Sequence, residues 1–449
     1  MTPSPPDSAA ANRVGPLWDP PTGRRPGLRG WLVCPAFGVG TEVWMRRQID
    51  RIDAIDMRVK TYMHCCDPPS STEGDTASLS STEGDATARH RVDVVAGSRQ
   101  TVRITAFRYA QLNWRARHNP IVPAFTKSTA ESRWWSQHIL RDRPSVILAH
   151  YGTTAVDLAP LARHHRVPIV AHFNGFDASK MMARRRYCRL LAESMDVIDR
   201  YVVVADYMRD NLLSLGIAPD KIVRIPYGVP SVDPVDRSGR IGPCQFIAVG
   251  RLVAKKRPDL TITAMAMMVD RLVAAGTCRA NLPRLTIVGD GPLRLRCKRL
   301  IVKHRIDDLV EMTGQLPPDQ TQRQMAAADV FVQHSVTAAN GDREGWPVAI
   351  AEAAAWGLPI VATRHASIPE QIGREPAAGG LMCDEGDAVT MADHMHTMAT
   401  DLAERKRMGR NSVRNMAAID IDHQVQSLQN VLIEAAGGRS LVAAERAAA

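Results

Sequence analysis

The chain has 449 residues, 45% hydrophobic and 23% charged, the balance of a soluble globular protein long enough for two domains. No run of eighteen apolar residues occurs, so no spanning helix is expected; eight scattered cysteines without a Cys-x-x-Cys pair favour reduced cytosolic thiols over a disulfide framework or zinc site. A formal charge of +10 and a pI near 9.4 point to a polyanionic partner (nucleic acid, an acidic membrane surface or phosphorylated substrates), or else to an Arg-rich composition with no partner meant.

In chain order, residues 1–28 are rich in Pro, Ser and Ala without an apolar core segment, and read as a disordered leader, not a signal peptide. Short β-branched runs then alternate with helical patterns, the signature of parallel α/β structure. The expected strands of a first domain, 29–235, are Gly30–Cys34, Ser145–Ala149, Pro168–Ala171, Arg200–Val204 and Lys221–Ile225. Inside it, at about 67–90, SSTEGD occurs at 70–75 and again at 80–85, a loop insertion to which no function is assigned. A Pro-rich linker, Gly228–Pro243, leads into a second domain, 241–415. Its expected strands are Cys244–Val249, Arg284–Val288, Asp308–Met312, Asp329–Val332 and Pro359–Ala362, and a C-terminal helix and Ala-rich tail occupy 416–449. The fold class is thus α/β, with two Rossmann-like domains.

Ligands of open α/β sheets bind beyond the carboxyl ends of the strands. There the chain places PAFGVGTE, HYGTT, HFNGFDAS, GRLVAKK, GDGPLR and QHSVTAANGDREGWP, so a ligand between the domains is the simplest account. Arg251 and Lys256, just after a strand, suit a diphosphate: a guanidinium clamps phosphate in bidentate fashion and an ammonium adds a point charge. In REGWPVAIAEAAAWGLP, Pro347 suits a first helical turn and Gly357-Leu358-Pro359 a stop, giving a helix of about ten residues. Its free N–H groups near Gly345 and Trp346 form an anion or hydroxyl site. Glu344 and Glu352 lie at most about 12 Å apart along such an axis, wide enough to hold opposite ends of one elongated ligand; the alternative makes Glu344 a helix-dipole partner and Glu352 a solvated helix residue.

Two other classes fit less well. A nicotinamide dehydrogenase needs G-x-G-x-x-G, and both Gly38-Val39-Gly40 and Gly289-Asp290-Gly291 lack the third glycine. A nucleic-acid binder would interleave aromatics with its basic clusters, yet aromatics are 5% of the chain. Arg184-Arg185-Arg186 beside Met181-Met182 suits a membrane surface better, or is simply a solvated helix face. Asp420-Ile421-Asp422 has the Asp-x-Asp form of metal-dependent transferases but sits in a helical C-terminal stretch.

From about Gly30 to Asp387 the chain resembles the retaining glycosyltransferases of family 4, which have the GT-B fold. The segments that carry the resemblance are VGRLVAKKRPDL, LTIVGDGPLR, VTAANGDREGWPVAIAEAAAWGLPIVATRHASIPE and GGLMCDEGD; GTEVWMRRQI, HYGTT and HFNGFDAS are similar to the branch that builds exopolysaccharides of the colanic-acid kind. The resemblance implies a first, acceptor domain and a second, donor domain. It implies that Arg251 and Lys256 neutralise the nucleotide diphosphate, that Glu344 with the N–H groups of Gly345 and Trp346 meets the donor sugar, and that Glu352 holds the ribose. Gly314-Gln315-Leu316 would line the base pocket, with Gly250, Gly289, Asp290 and Pro347 in the same donor site. Gly38, Gly40, Thr41 and Glu42 would approach the phosphates; His150, Asn174 and Asp177 would face sugar and acceptor. Asn174 stands where the family has His, and Asn does not titrate; His172 is a candidate substitute. The implied activity moves a sugar from a UDP- or GDP-sugar to a saccharide or lipid-linked acceptor in surface polysaccharide synthesis. It would need neither metal nor cofactor, in the cytoplasm or against the inner face of the cell membrane. The alternative is a nucleotide-sugar binder of the same fold with impaired catalysis.

Overall fold

The computed structural model describes residues 28–37, 43–64, 92–94, 129–237, 239–417 and 419–448. Residues 1–27, both copies of SSTEGD, and Gly38, Gly40, Thr41 and Glu42 lie outside the described residues.

The described residues form two all-parallel sheets. The first holds β1 (Arg29–Phe37), β2 (Asp56–His64), β3 (Val92–Val94), β4 (Val146–His150), β5 (Ile169–Phe173), β6 (Ile198–Val203) and β7 (Ile222–Arg224), in the order β3-β2-β1-β4-β5-β6-β7. The second holds β8 (Gln245–Val249), β9 (Arg284–Val288), β10 (Val310–Gly314), β11 (Val330–Gln333), β12 (Ile360–Thr363) and β13 (Gly380–Cys383), in the order β10-β9-β8-β11-β12-β13. Both sheets reverse direction of growth once, between β1 and β4 and between β8 and β11, and such a reversal opens a crevice at the carboxyl ends.

Both faces of each sheet are covered, as parallel sheets require. Alternate residues of β1 go to opposite cores: Trp31 and Val33 pack on one face, Leu32 and Cys34 on the other. In β11, Val330 and Val332 face one core and Phe331 the other. The expected strands are all present, displaced by one to three residues at some ends. Three were not anticipated: β2, β3 and β13. In β2 the sequence reads DMRVKTYMH, and its polar positions disguise it; Lys60 is fully buried there, its Nζ 2.8 Å from Asp142 and 4.8 Å from the centre of the Trp31 ring.

The chain crosses between the sheets twice. After the second sheet, a long helix (Ile421–Ala448) returns to the first and buries Ile421, Val425, Leu428, Val431 and Leu432 against Leu32, Leu148 and Val170. Each such side chain contributes about 1.5–3 kcal/mol relative to exposure. The two crossings touch: Val229 bridges Asp420, the Gly228 N–H donates to Gln424 Oε1 at 2.9 Å, and a Cβ on Gly228 would come within 2.3 Å of the Asp420 carbonyl oxygen. Asp420 and Asp422 serve this junction. Asp420 Oδ1 accepts from the His423 N–H at 2.8 Å, and Asp422 lies 3.4 Å from Arg51 Nε.

Candidate active site

The loops that follow β8, β9 and β10 are stitched backbone to backbone. The Gly250 N–H donates to the Val288 carbonyl at 2.9 Å, Leu252 N–H to the Asp290 carbonyl at 2.9 Å, and Gly289 N–H to the Gly314 carbonyl at 2.7 Å. This approach requires glycine: Gly289 has φ of 135°, and a Cβ there would meet the Gly250 carbonyl oxygen at 2.1 Å. Gly250, Arg251 and Lys256 line one pocket with Leu252, Thr261 and Gln333. Arg251 is exposed and makes no ion pair among the described residues. Asp290 is turned to its own loop, accepting from the Gly291 N–H at 2.7 Å and from Arg294 at 2.9 Å. Leu316 is half-buried against the core beneath β10.

Lys256 reaches from a single helical turn, Ala254–Lys256, to Glu344 Oε1 at 3.0 Å. Ser335 Oγ donates to the same carboxylate oxygen at 3.3 Å, and Lys255 Nζ stands 3.9 Å from the other. Glu344 is 5% exposed; burial opposes its ionisation, but Lys256 and Lys255 outweigh burial and hold the carboxyl down to about 2. Burial conversely lowers the Lys256 ammonium, with Glu344 opposing. Glu344 is thus a buried, ionised carboxylate against Lys256, which itself lines the pocket. Lys255 was not singled out in the sequence; it also donates to Asp342 and to the Arg343 carbonyl, at 3.2 and 3.1 Å.

The helix after Glu344 is shorter than expected. It spans Val348–Ala355, eight residues, with Pro347 in extended backbone just before it and Gly357 at φ 76° after it. Its Glu352 is not free: Arg47, in the first-lobe helix Val43–Ile49, donates to Glu352 Oε1 at 2.7 Å. The Trp346 side chain packs into the first lobe's core, and the Tyr207 hydroxyl donates to the Glu344 carbonyl at 2.7 Å. A Cβ on Gly345 would stand 2.1 Å from the Asn174 carbonyl oxygen. The lobes are therefore in contact through the Glu344–Trp346 segment.

On the first lobe, parallel register places His150 of β4 beside His172 of β5, with ring centres 4.9 Å apart. Trp44 lies over His150 at 5.1 Å and over Tyr227 at 4.5 Å. His150 is wholly buried, and neither ring nitrogen has a hydrogen-bond partner among the described residues. Burial lowers the pKa of both imidazoles, that of His172 to about 4. The Asn174 Oδ1 accepts from His172 Nδ1 at 2.9 Å and from the Tyr227 hydroxyl. His172 and Asn174 are thus joined in one hydrogen-bonded pair.

Asp177 is anchored by backbone contacts. It is fully buried, and its carboxylate accepts from the N–H groups of Gly152, Asn174 and Gly175 at 2.8, 3.0 and 2.9 Å. It ties the 174–177 turn to the start of the Gly152–His165 helix. Arg47, Trp44, Tyr207, Tyr227 and Lys255 were missed; of these, only the Lys255-Lys256 doublet carried a local signal.

Two protein-family profiles match. The one described as Glycosyltransferase Family 4 covers residues 83–233, and Glycosyl transferases group 1 covers residues 240–414. Over 257 residues the chain is 32% identical to WcaL of Escherichia coli K12, named as a colanic acid biosynthesis glycosyltransferase, covering 56% of this chain and 61% of that protein. Over 256 residues it is 30% identical to the amylovoran biosynthesis glycosyltransferase AmsK of Erwinia amylovora, covering 55% and 59%. The chain thus matches about three fifths of the length of these relatives. Among solved structures, Anabaena HepE in complex with UDP aligns with a TM-score of 0.63 at 16% identity, covering 91% of this chain and 100% of that one. WaaG, a glycosyltransferase involved in lipopolysaccharide biosynthesis, aligns at 0.61 and 14% identity, covering 90% and 99%. The fold is GT-B, and residues 83–233 and 240–414 match the glycosyltransferase family 4 and glycosyl transferases group 1 domains.

Proposed function

We propose that the protein transfers a sugar from a nucleoside-diphosphate sugar to a saccharide, free or lipid-linked, in surface polysaccharide synthesis, with retention at the anomeric carbon and without a metal ion. The bond from that carbon to the diphosphate breaks, the acceptor oxygen bonds to the same face, and the acceptor proton passes to the departing diphosphate. What the protein must supply is positive charge where the leaving oxygen turns negative. The observation that carries this reading is the pocket bordered by both Arg251 and Lys256, with the ionised Glu344 against Lys256. On this reading Gly314 and Leu316 face the base, Glu352 the ribose once Arg47 releases it, and His150 with Asn174 the sugar and acceptor. HepE, whose structure holds UDP, supports UDP, and a Mycobacterium tuberculosis relative named as GDP-mannose-dependent, 27% identical, supports GDP.

The site reading is tested by screening UDP-, GDP- and ADP-sugars for a rise in melting temperature, then measuring release of the nucleoside diphosphate. Ligand at a hundred times its Kd stabilises by about 2.7 kcal/mol. No shift with any donor would overturn it. Transfer abolished by EDTA and restored by manganese would overturn metal independence, and an inverted product linkage would overturn retention. A second reading, binding without catalysis, is favoured by Asn174 standing where the family carries His; it predicts a thermal shift with no release. Among the described residues no helix is long and apolar enough to cross a membrane. The exposed Arg184, Arg185, Arg186 and Arg189 around the Arg185–Ala192 helix support peripheral contact with an anionic leaflet.

A further inference from the structure

His365 is a buried imidazole with a partner on each ring nitrogen. Nδ1 lies 2.6 Å from Glu385 Oε1, and Nε2 lies 3.1 Å from the backbone nitrogen of Glu344. Glu385 is itself fixed, accepting from the Thr337 N–H at 2.8 Å. These contacts dictate one protonation state. The Glu344 N–H is a donor, so Nε2 must present a lone pair; the carboxylate accepts, so Nδ1 must carry the hydrogen. A doubly protonated ring would set two N–H groups against each other at Nε2. The chain bends sharply to bring the ring there: Ala366, next in sequence, has φ of 47°, a left-handed conformation that alanine adopts at a cost of about 1–2 kcal/mol.

We propose that His365 is a positioning residue for transfer: held by Glu385 as the Nδ1–H tautomer, it fixes the backbone of Glu344 and so the aim of the Glu344–Trp346 segment at the donor. The proposal rests on the donor-site reading above. That segment has no regular secondary structure; its neighbouring anchors are Lys255 on the Arg343 carbonyl, Ser179 on the Arg343 N–H and Tyr207 on the Glu344 carbonyl. His365 alone, among the described residues, holds the Glu344 N–H. The charged groups that face the ring are Glu385, Glu344 and Arg343. Burial keeps the imidazole neutral below its ordinary range, with Glu385 opposing, so the contact is intact at neutral pH and breaks as acid protonates Nε2.

The test uses the full chain labelled with 15N-histidine, with His365→Gln to assign the signal. Two-bond proton–nitrogen spectra at pH 7.5 are expected to show a neutral ring protonated at Nδ1; an Nε2–H or doubly protonated ring would overturn the proposal. In parallel, kcat for nucleoside diphosphate release is followed from pH 5 to 8, using whichever of UDP-glucose, UDP-galactose and GDP-mannose stabilises the chain most. His365→Ala should lose tenfold or more in kcat, since displacement of a reacting group by about 1 Å costs up to roughly a hundredfold. His365→Gln, which keeps an acceptor near Nε2, should recover most of that and lose the acid limb of the wild-type profile. A glutamine variant as impaired as the alanine one, or one that keeps the acid limb, overturns the role; should the alanine variant fail to fold, the glutamine variant decides. Full turnover in Glu344→Gln would overturn the donor-site reading and the positioning role with it, while leaving the tautomer result standing.

Discussion

Replacing Lys256 by Met separates the two tasks assigned to this ammonium. It would leave Glu344, 5% exposed, without its nearest cation. Breaking a buried pair on one side costs about 3–5 kcal/mol. The low end applies, because Lys255 remains 3.9 Å from the carboxylate and Ser335 still donates at 3.3 Å. The carboxyl pKa points to a similar figure: its fall from 4.5 to about 2 is worth roughly 3 kcal/mol at about 1.36 kcal/mol per pH unit. For a lobe of this size that lowers the melting temperature by roughly 6–12 °C. Turnover should fall further, by about a hundred- to a thousandfold, because a preorganised charge at the leaving oxygen is lost. The double variant Lys256→Met with Glu344→Gln removes the stranded charge and should recover more than half of the lost thermal stability, yet none of the turnover. Calorimetric melting and nucleoside diphosphate release on the parent chain and both variants decide the matter. Turnover returning along with stability would show that Lys256 merely neutralises Glu344, and the leaving-group role would fall.

Arg47→Ala should cost less than about 1 kcal/mol of stability, as partly exposed pairs do, but tighten nucleotide binding by freeing Glu352; weaker binding by calorimetry would contradict this. Gly345→Ala puts a methyl 2.1 Å from the Asn174 carbonyl oxygen, so the lobes should separate; an unchanged radius of gyration in small-angle scattering would count against the contact. Acid should destabilise the protein between about pH 6.5 and 4. His172 and His334 are each lowered to about 4, and His150 and His365 are lowered as well, all chiefly by burial. The unfolded chain therefore binds more protons in that window, and stability, complete above 6.5, is lost as pH falls. A melting temperature flat from pH 7 to 4.5 would show these imidazoles to be solvated.

What could be read from the sequence follows locality. Arg251, Lys256 and Glu344 were picked out because they lie in the loops that follow β8 and β11, and parallel topology sends such loops to one rim. The glycines after β8 and β9 were legible as a cluster, though their reason, one loop backbone lying on another, is visible only in three dimensions. That the Asp177 carboxylate satisfies three backbone N–H groups is visible only in three dimensions. Arg47 could not be found at all: it meets Glu352 across 305 positions of sequence, and nothing in Trp-Met-Arg-Arg-Gln marks which arginine crosses the gap. Strand β2 was hidden by Lys60, whose burial is tolerable only because Asp142 lies beside it.

The helix Ile421–Ala448 has a consequence for synthesis on the ribosome. The first sheet, made earliest, lacks part of its covering until Leu428 and Leu432 have been translated, more than two hundred residues after β7. Until then Leu32, Leu148 and Val170 lack that cover, so a nascent chain halted at the end of the second sheet would offer a sticky flank to chaperones. Completion of the first sheet's half thus waits on a segment made after the second sheet, and both halves should reach their final state nearly together.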